Sequence, residues 1–233
     1  MVLEEYSFWL FDLDGTLVDV EPAYRRRVFD RVGERLGREF SDRESEIIWH
    51  GLCGERNVAL RRWGIDPDVF WETIHDVEDP AERANATILH DDARWLLDRI
   101  DAPIGVVTHC QDFLAEPVID RIGLDRWVDT VVCCDDEIGW KPDPEPVRWT
   151  IDSLDRSCGL TGSEFLRTDD PVCDGGTQMK GVLVGDSETD VGAAWNAGLD
   201  AIHVERHGHR HRGHCVLADY RIRSFTELSD RRS

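Results

Sequence analysis

The chain has 233 residues, with 48 Asp and Glu against 27 Lys and Arg, a formal charge of −21, and 41% apolar residues that include nine tryptophans. A chain of this sign repels nucleic acid and acidic membrane surfaces, and its apolar and aromatic content excludes a disordered acidic tail. No stretch approaches the roughly 18 apolar residues of a membrane span, and the start lacks the basic, apolar pattern of a signal segment. The seven cysteines are an odd set without CxxC pairs, read as free thiols. These features together describe a cytoplasmic globular protein, long enough for one core and a small satellite; its oligomeric state is left open.

In chain order, "SFWLFDLDGTLVDVEP" (residues 7–22) opens with an unbroken apolar block, as expected of a strand buried on both faces. The side-chain period of two points Asp12 and Asp14 the same way. Two such carboxylates repel unless a cation sits between them, and Gly15 and Thr16 add a tight turn and a hydroxyl. Alone, the pair also fits a solvated Asp-rich turn. Helical patterns follow over residues 22–37, 41–50, 55–63, 67–76 and 91–100, and no strand is evident between residues 20 and 88. "IGVVTHC", "TVVCC", "GVLVGDS" and "DAIHVE" then read as short buried strands, with helices near 112–122, 144–156 and 188–197 between them. This alternation predicts an α/β fold, a Rossmann-like parallel sheet covered by helices on both faces, carrying an inserted all-helical lobe.

Ligands of open parallel sheets collect beyond the carboxyl ends of the strands. The candidates there are Asp12 and Asp14 after the first strand, Thr108 at the second, Asp186 after the fourth, and Asp190 one helical turn beyond it. Lys141, one of only two lysines, lies in the proline-stiffened "GWKPDPEP" loop at the same edge. Converging carboxylates without a cation are costly, and Mg2+, which takes oxygen ligands, turns such a cluster into a site.

The segments "DLDGTLVD", "VVTH", "WKPDPEP" and "VGDSETDVGAAWNAG" resemble the four ordered motifs of the haloacid dehalogenase-like (HAD) hydrolase superfamily, over nearly the whole chain. The helical insert is similar to the cap of the phosphoglycolate phosphatase-like subgroup. The resemblance implies a catalytic core of residues 1–18 plus 91–233 and a cap of residues 19–90, hinged near residues 18–22 and 88–92. It further implies Asp12 as nucleophile, Asp14 as general acid and base, Thr108 as a phosphoryl hydrogen-bond donor and Lys141 as charge neutraliser. Mg2+ would be held by Asp12, the Asp14 backbone carbonyl and Asp186, with Asp190 orienting water or Lys141.

Asp14 favours a phosphate ester over a halide, since dehalogenases of this superfamily lack it. The expected function is a Mg2+-dependent phosphatase acting on a small phosphorylated metabolite through an aspartyl-phosphate. A phosphosugar mutase is the second reading and a non-catalytic binding protein that keeps the fold the third. Mutases of this kind carry an acidic pair just before the serine of the fourth motif, where this chain has "GDS".

Several features remain. His109 stands where the family usually has asparagine, either on the substrate side or simply packed. The segment "LTGSEFLRTDDPVCDGGTQMK" (residues 160–180) lengthens the gap before the fourth motif and reads as a surface loop. "HVERHGHRHRGH" (residues 203–214) reads as a solvated loop rather than a transition-metal site. Arg25, Arg26 and Arg27 point in successive helix directions, with surface pairing as the default, and His50 and Arg56 are further substrate-side candidates.

The acidity is of the kind halophiles use, in which screening relieves self-repulsion. Its reach falls from roughly 30 Å at 0.01 M salt to about 3 Å at 1 M. The melting temperature at fixed Mg2+ is therefore expected to rise between about 0.1 M and 2 M KCl; a flat or falling melt would overturn the halophilic reading.

Overall fold

The computed structural model describes residues 2–52, 55–159, 179–206 and 216–230. Strand β1 (Phe8–Phe11) lies at the centre of a six-stranded sheet. It pairs with β4 (Ile104–Thr108) on one side and β6 (Gly181–Gly185) on the other. Strands β5 (Thr130–Cys133), β7 (Asp200–Val204) and β8 (Tyr220–Ile222) complete the order β5-β4-β1-β6-β7-β8, every pair parallel.

The apolar block at residues 8–11 divides between two cores by the period of two. Trp9 and Phe11 join Val106, Val184 and Ile202 on one face, under helices α6 (Asp91–Leu97) and α7 (Asp112–Ile122). Phe8 and Leu10 join Val107, Leu183 and Ala201 on the other, under α8 (Glu145–Cys158) and α9 (Glu188–Asn196). The sheet is thus covered on both faces. Gly105 makes room for α8: a Cβ there would lie 2.7 Å from Thr150 Cγ2 and 2.9 Å from Leu10 Cδ2. Helix α10 (Glu227–Asp230) closes the described chain.

Helices α1 (Pro22–Leu36), α2 (Asp42–His50), α3 (Arg56–Arg62), α4 (Pro67–Val77) and α5 (Pro80–Ala86) gather around a third core of Tyr24, Phe29, Val32, Ile48, Leu60, Phe70 and Ile74. Helix α2 starts where the sequence signals it, at a Ser41–Glu44 capping box.

The sequence reading showed no strand from 20 to 88, and here the fold corrects it at both limits. Strand β2 (Val18–Val20) pairs antiparallel with β3 (Thr87–Leu89), so the entry and exit of the helical segment lie side by side. Three residues are too few for a period-two pattern to register. Strand β8 and the four-residue helix α10 were missed for the same want of length, whereas α5, as long as α3 and α6, was missed despite its Asp79 cap and Pro80 start.

A knot ties these parts together. Arg206, just after β7, donates from Nη1 to Asp92 on α6 at 2.8 Å, and from Nη2 to the Thr16 carbonyl at 2.8 Å. Asp92 also accepts from Ser224 Oγ and the Phe225 backbone. Cys110, Cys133, Cys134 and Cys158 are free thiols. Cys53, Cys173 and Cys215 lie outside the described residues, as do nearly all of the 160–180 loop and residues 207–214 of the His-rich stretch. Among the described residues no helix is long and apolar enough to cross a membrane.

Gly105→Ala is expected to destabilise the protein by about 1–3 kcal/mol through overpacking. A loss in the urea midpoint tests this, and an unchanged midpoint would show that α8 can retreat.

Candidate active site

Asp12 follows β1, Thr108 ends β4, Asp186 follows β6 and Asp190 lies in the first turn of α9, all at the carboxyl edge of the sheet. The loop carrying Lys141 is pressed onto α9. Asn196 Nδ2 donates to the Pro142 carbonyl at 2.9 Å, and a Cβ on Gly192 would come within 2.8 Å of Pro142 Cβ. Two more glycines make room for the acids. Gly15 has φ +82°, a conformation L side chains rarely adopt, and a Cβ there would stand 2.7 Å from Asp186 Oδ2. A Cβ on Gly185 would collide with the Asp190 side chain.

The ammonium of Lys141, almost fully buried, lies 2.7 Å from Asp12 Oδ1 and 2.7 Å from Asp190 Oδ1, and donates to the Val107 carbonyl at 3.0 Å. The second oxygen of Asp190 accepts from Ser187 N at 2.9 Å and Ser187 Oγ at 2.6 Å. Asp190 therefore caps α9 and holds Lys141 at once, which explains the spacing in "GDSETD". Thr16 Oγ1 donates to Asp12 Oδ2 at 3.2 Å.

Carboxylate oxygens of Asp12, Asp186 and Asp190 lie within 4.8 Å of one another, and all three residues are buried. Three carboxylates against one ammonium leave two negative charges in excess. Burial, above all, pushes Asp12 up to about 8; Lys141 opposes this, while Asp190 and Asp186 add to it. Burial also works against the charges of Asp190 and Lys141. Even so, Lys141 and the Ser187 donors hold Asp190 below the usual carboxylate range, and Asp12 and Asp190 hold Lys141 protonated. Asp12 thus carries the strain of the surplus. An all-oxygen donor set with surplus negative charge suits a hard divalent cation such as Mg2+. Lys141 and Ser187 engage the two oxygens of Asp190, and Lys141 and Thr16 the two oxygens of Asp12.

The remaining predicted residues are less closely joined. The Thr108 hydroxyl, buried at the end of β4, accepts from Cys110 N at 3.0 Å. Asp14 does not share the Lys141 ion pair. Its Oδ1 is bound by Nη2 of Arg83 on α5, a residue the sequence reading passed over. Burial opposes the Arg83 charge, but Asp14 and Glu78 more than offset this and keep it protonated. Nothing in "AERANATIL" marked Arg83 out; the only signal was a basic residue one turn before the exit from the helical segment.

His109 packs edge-on against Trp140, 5.5 Å between centroids, and burial, followed by Lys141, pushes it down to about 3, so it is neutral. Arg26 pairs with Asp42 at the surface, at 3.1 Å, as the default had it. Arg25 is instead buried against His50 Nε2 at 2.7 Å and pairs with Glu46. Arg27 lies over the Tyr24 ring, and Arg56 binds the Ile48 and Trp49 carbonyls near the end of α2.

A parallel sheet covered on both faces, with an acidic cluster and a buried lysine at its carboxyl edge, defines a Rossmann-like α/β protein. Residues 9–204 match the haloacid dehalogenase-like hydrolase family, and the chain belongs to it. The chain is 25% identical over 213 residues to the phosphoglycolate phosphatase of Pseudomonas savastanoi pv. phaseolicola, covering 87% of this chain and 70% of that one. The solved HAD phosphatase from Thermococcus onnurineus superposes with a TM-score of 0.62 at 25% identity, over 96% of each chain. A Lactobacillus plantarum structure shares the fold with a TM-score of 0.72 at 20% identity, over 97% of this chain and 98% of that one.

Removing Lys141 strands buried charge. Lys141→Ala is expected to cost about 3–5 kcal/mol of stability, part of it regained when Asp190→Asn is added. Urea unfolding of the single and double variants measures both, and additive losses would contradict the shared ion pair.

Proposed function

We propose that the protein is a cytoplasmic, Mg2+-dependent phosphatase that hydrolyses a small phosphorylated metabolite through an aspartyl-phosphate. The observation that carries this reading is the buried Lys141 bridging Asp12 and Asp190 beside Asp186. A carboxylate held against an ammonium and an ion site is equipped to approach a phosphoryl group that would otherwise repel it.

Asp12 attacks phosphorus, an O–P bond to Asp12 forms, and the bond to the leaving alcohol breaks as Asp14 gives that oxygen its proton. Asp14 then takes a proton from water as water attacks phosphorus, and the acyl-phosphate P–O bond breaks to return Asp12 and release inorganic phosphate. Lys141 balances charge on Asp12 and the phosphoryl oxygens throughout, and Asp190 keeps it aimed. Thr108 donates to a phosphoryl oxygen. Mg2+ would be held by Asp12, the Asp14 backbone carbonyl and Asp186, and would supply charge neutralisation at the phosphoryl group.

Residues 19–90 act as the cap that covers the reaction and admits small substrates; the paired strands β2 and β3 are its two connections to the core. The acidic surface suits a cytoplasm of high salt.

A screen of small phosphorylated metabolites at high salt should find phosphate release that EDTA abolishes and Mg2+ restores. Asp12→Asn should remain folded and lose that release altogether. Release by folded Asp12→Asn close to the wild-type rate would refute the nucleophile, and interconversion of sugar phosphates without phosphate release would favour the mutase.

A further inference from the structure

Arg83 is buried deeply, with 5% of its side chain exposed, whereas the Asp14 side chain it binds is 34% exposed. The cation is therefore the fixed partner and the carboxylate the movable one. Its guanidinium is wedged in place. The Trp49 ring lies 4.9 Å away and the Tyr24 ring 5.9 Å, Glu78 stands at 3.6 Å, and Tyr24 hydroxyl in turn donates to Glu78 at 3.0 Å. Trp49, Tyr24, Glu78 and Arg83 all belong to the helical segment, while Asp14 belongs to the loop after β1. Arg83 Nε is buried with no hydrogen-bond partner. This arginine leaves that donor idle, faces Glu78 of its own segment only at 3.6 Å through Nη1, and makes its hydrogen bond through Nη2 to a carboxylate 69 residues away.

We propose that Arg83 is a positioning residue for the acid–base step. It holds Oδ1 of Asp14 so that Oδ2 is presented to the leaving oxygen, and because it rides on the helical segment, Asp14 is aimed only while that segment is seated against the strand-end loop. Seating and proton transfer are thereby one event, and an open enzyme keeps a misaimed acid. The proposal rests on the reading of Asp14 as general acid and base.

The experiment compares two substrates with saturating Mg2+: a small alkyl phosphate, whose leaving oxygen needs a proton, and p-nitrophenyl phosphate, whose leaving group does not. Asp14→Asn, the control, should lose roughly 10²–10⁴-fold on the alkyl phosphate and much less on the nitrophenyl ester. Arg83→Lys keeps the charge and loses the fork. Arg83→Gln combined with Glu78→Gln removes the charge without stranding Glu78. Each, confirmed folded by its thermal melt, should lose at least about tenfold more kcat on the alkyl phosphate than on the nitrophenyl ester. Adding Asp14→Asn to either should lower alkyl phosphate turnover no further than Asp14→Asn alone. Equal losses on the two substrates, or losses that multiply with Asp14→Asn, would make Arg83 merely structural and overturn the proposal. If Asp14→Asn itself fails to distinguish the substrates, the acid–base reading of Asp14 has failed first, a result separate from the behaviour of the Arg83 variants.

Discussion

One ammonium held among three buried carboxylates is the constraint on which this site depends. In water the pairs would be worth little; buried, an unpaired member would cost several kcal/mol. The chain therefore surrounds Lys141 with fixed partners: Asp12 at the end of the central strand, Asp190 in the first turn of α9, and the Val107 carbonyl. Glycines at 15, 185 and 192 allow the close approaches, each at a place where a Cβ would press on the cluster or on the lysine loop. Three separate elements are thus located by one charge. The surplus negative charge that remains is what suits the cluster to a divalent cation.

Much of this was legible in the sequence because burial and chemistry mark it strongly. "FWLF" ending in "DLDG" declares a two-faced strand with acids at its tip, and a lone lysine among prolines stands out in a chain where arginine supplies nearly every cation. What escaped was of two kinds. Strands β2, β3 and β8 are three residues long and are held by pairing across large sequence separations, which no local pattern reports. Arg83 escaped because its importance lies in what it reaches. One arginine among 25 carries no local mark, and only the packing of Tyr24 and Trp49 fixes where its guanidinium goes.

The two aspartates of "DLDG" also fare differently from what their shared direction suggests. Asp12 is drawn into the core cluster and its pKa is raised by burial. Asp14, two residues on, turns to the helical segment and its buried arginine. A strand tip that divides in this way gives neighbouring acids separate environments, the general means by which one pair of like residues is fitted for two chemical tasks.

The place of β1 in the sheet has a consequence for biosynthesis. It is made before every other strand of its sheet and is central in space, with both faces apolar, yet its neighbours are residues 104–108 and 181–185. On the ribosome this segment emerges long before either partner exists, and at roughly 5–20 residues per second it waits several seconds for β4 and longer for β6. The Thr16 carbonyl waits longer still for Arg206. The helical segment, whose buried core draws on residues 20–86, is made in that interval. Until both partners are made, β1 keeps its apolar faces without the neighbouring strands that flank it in the sheet.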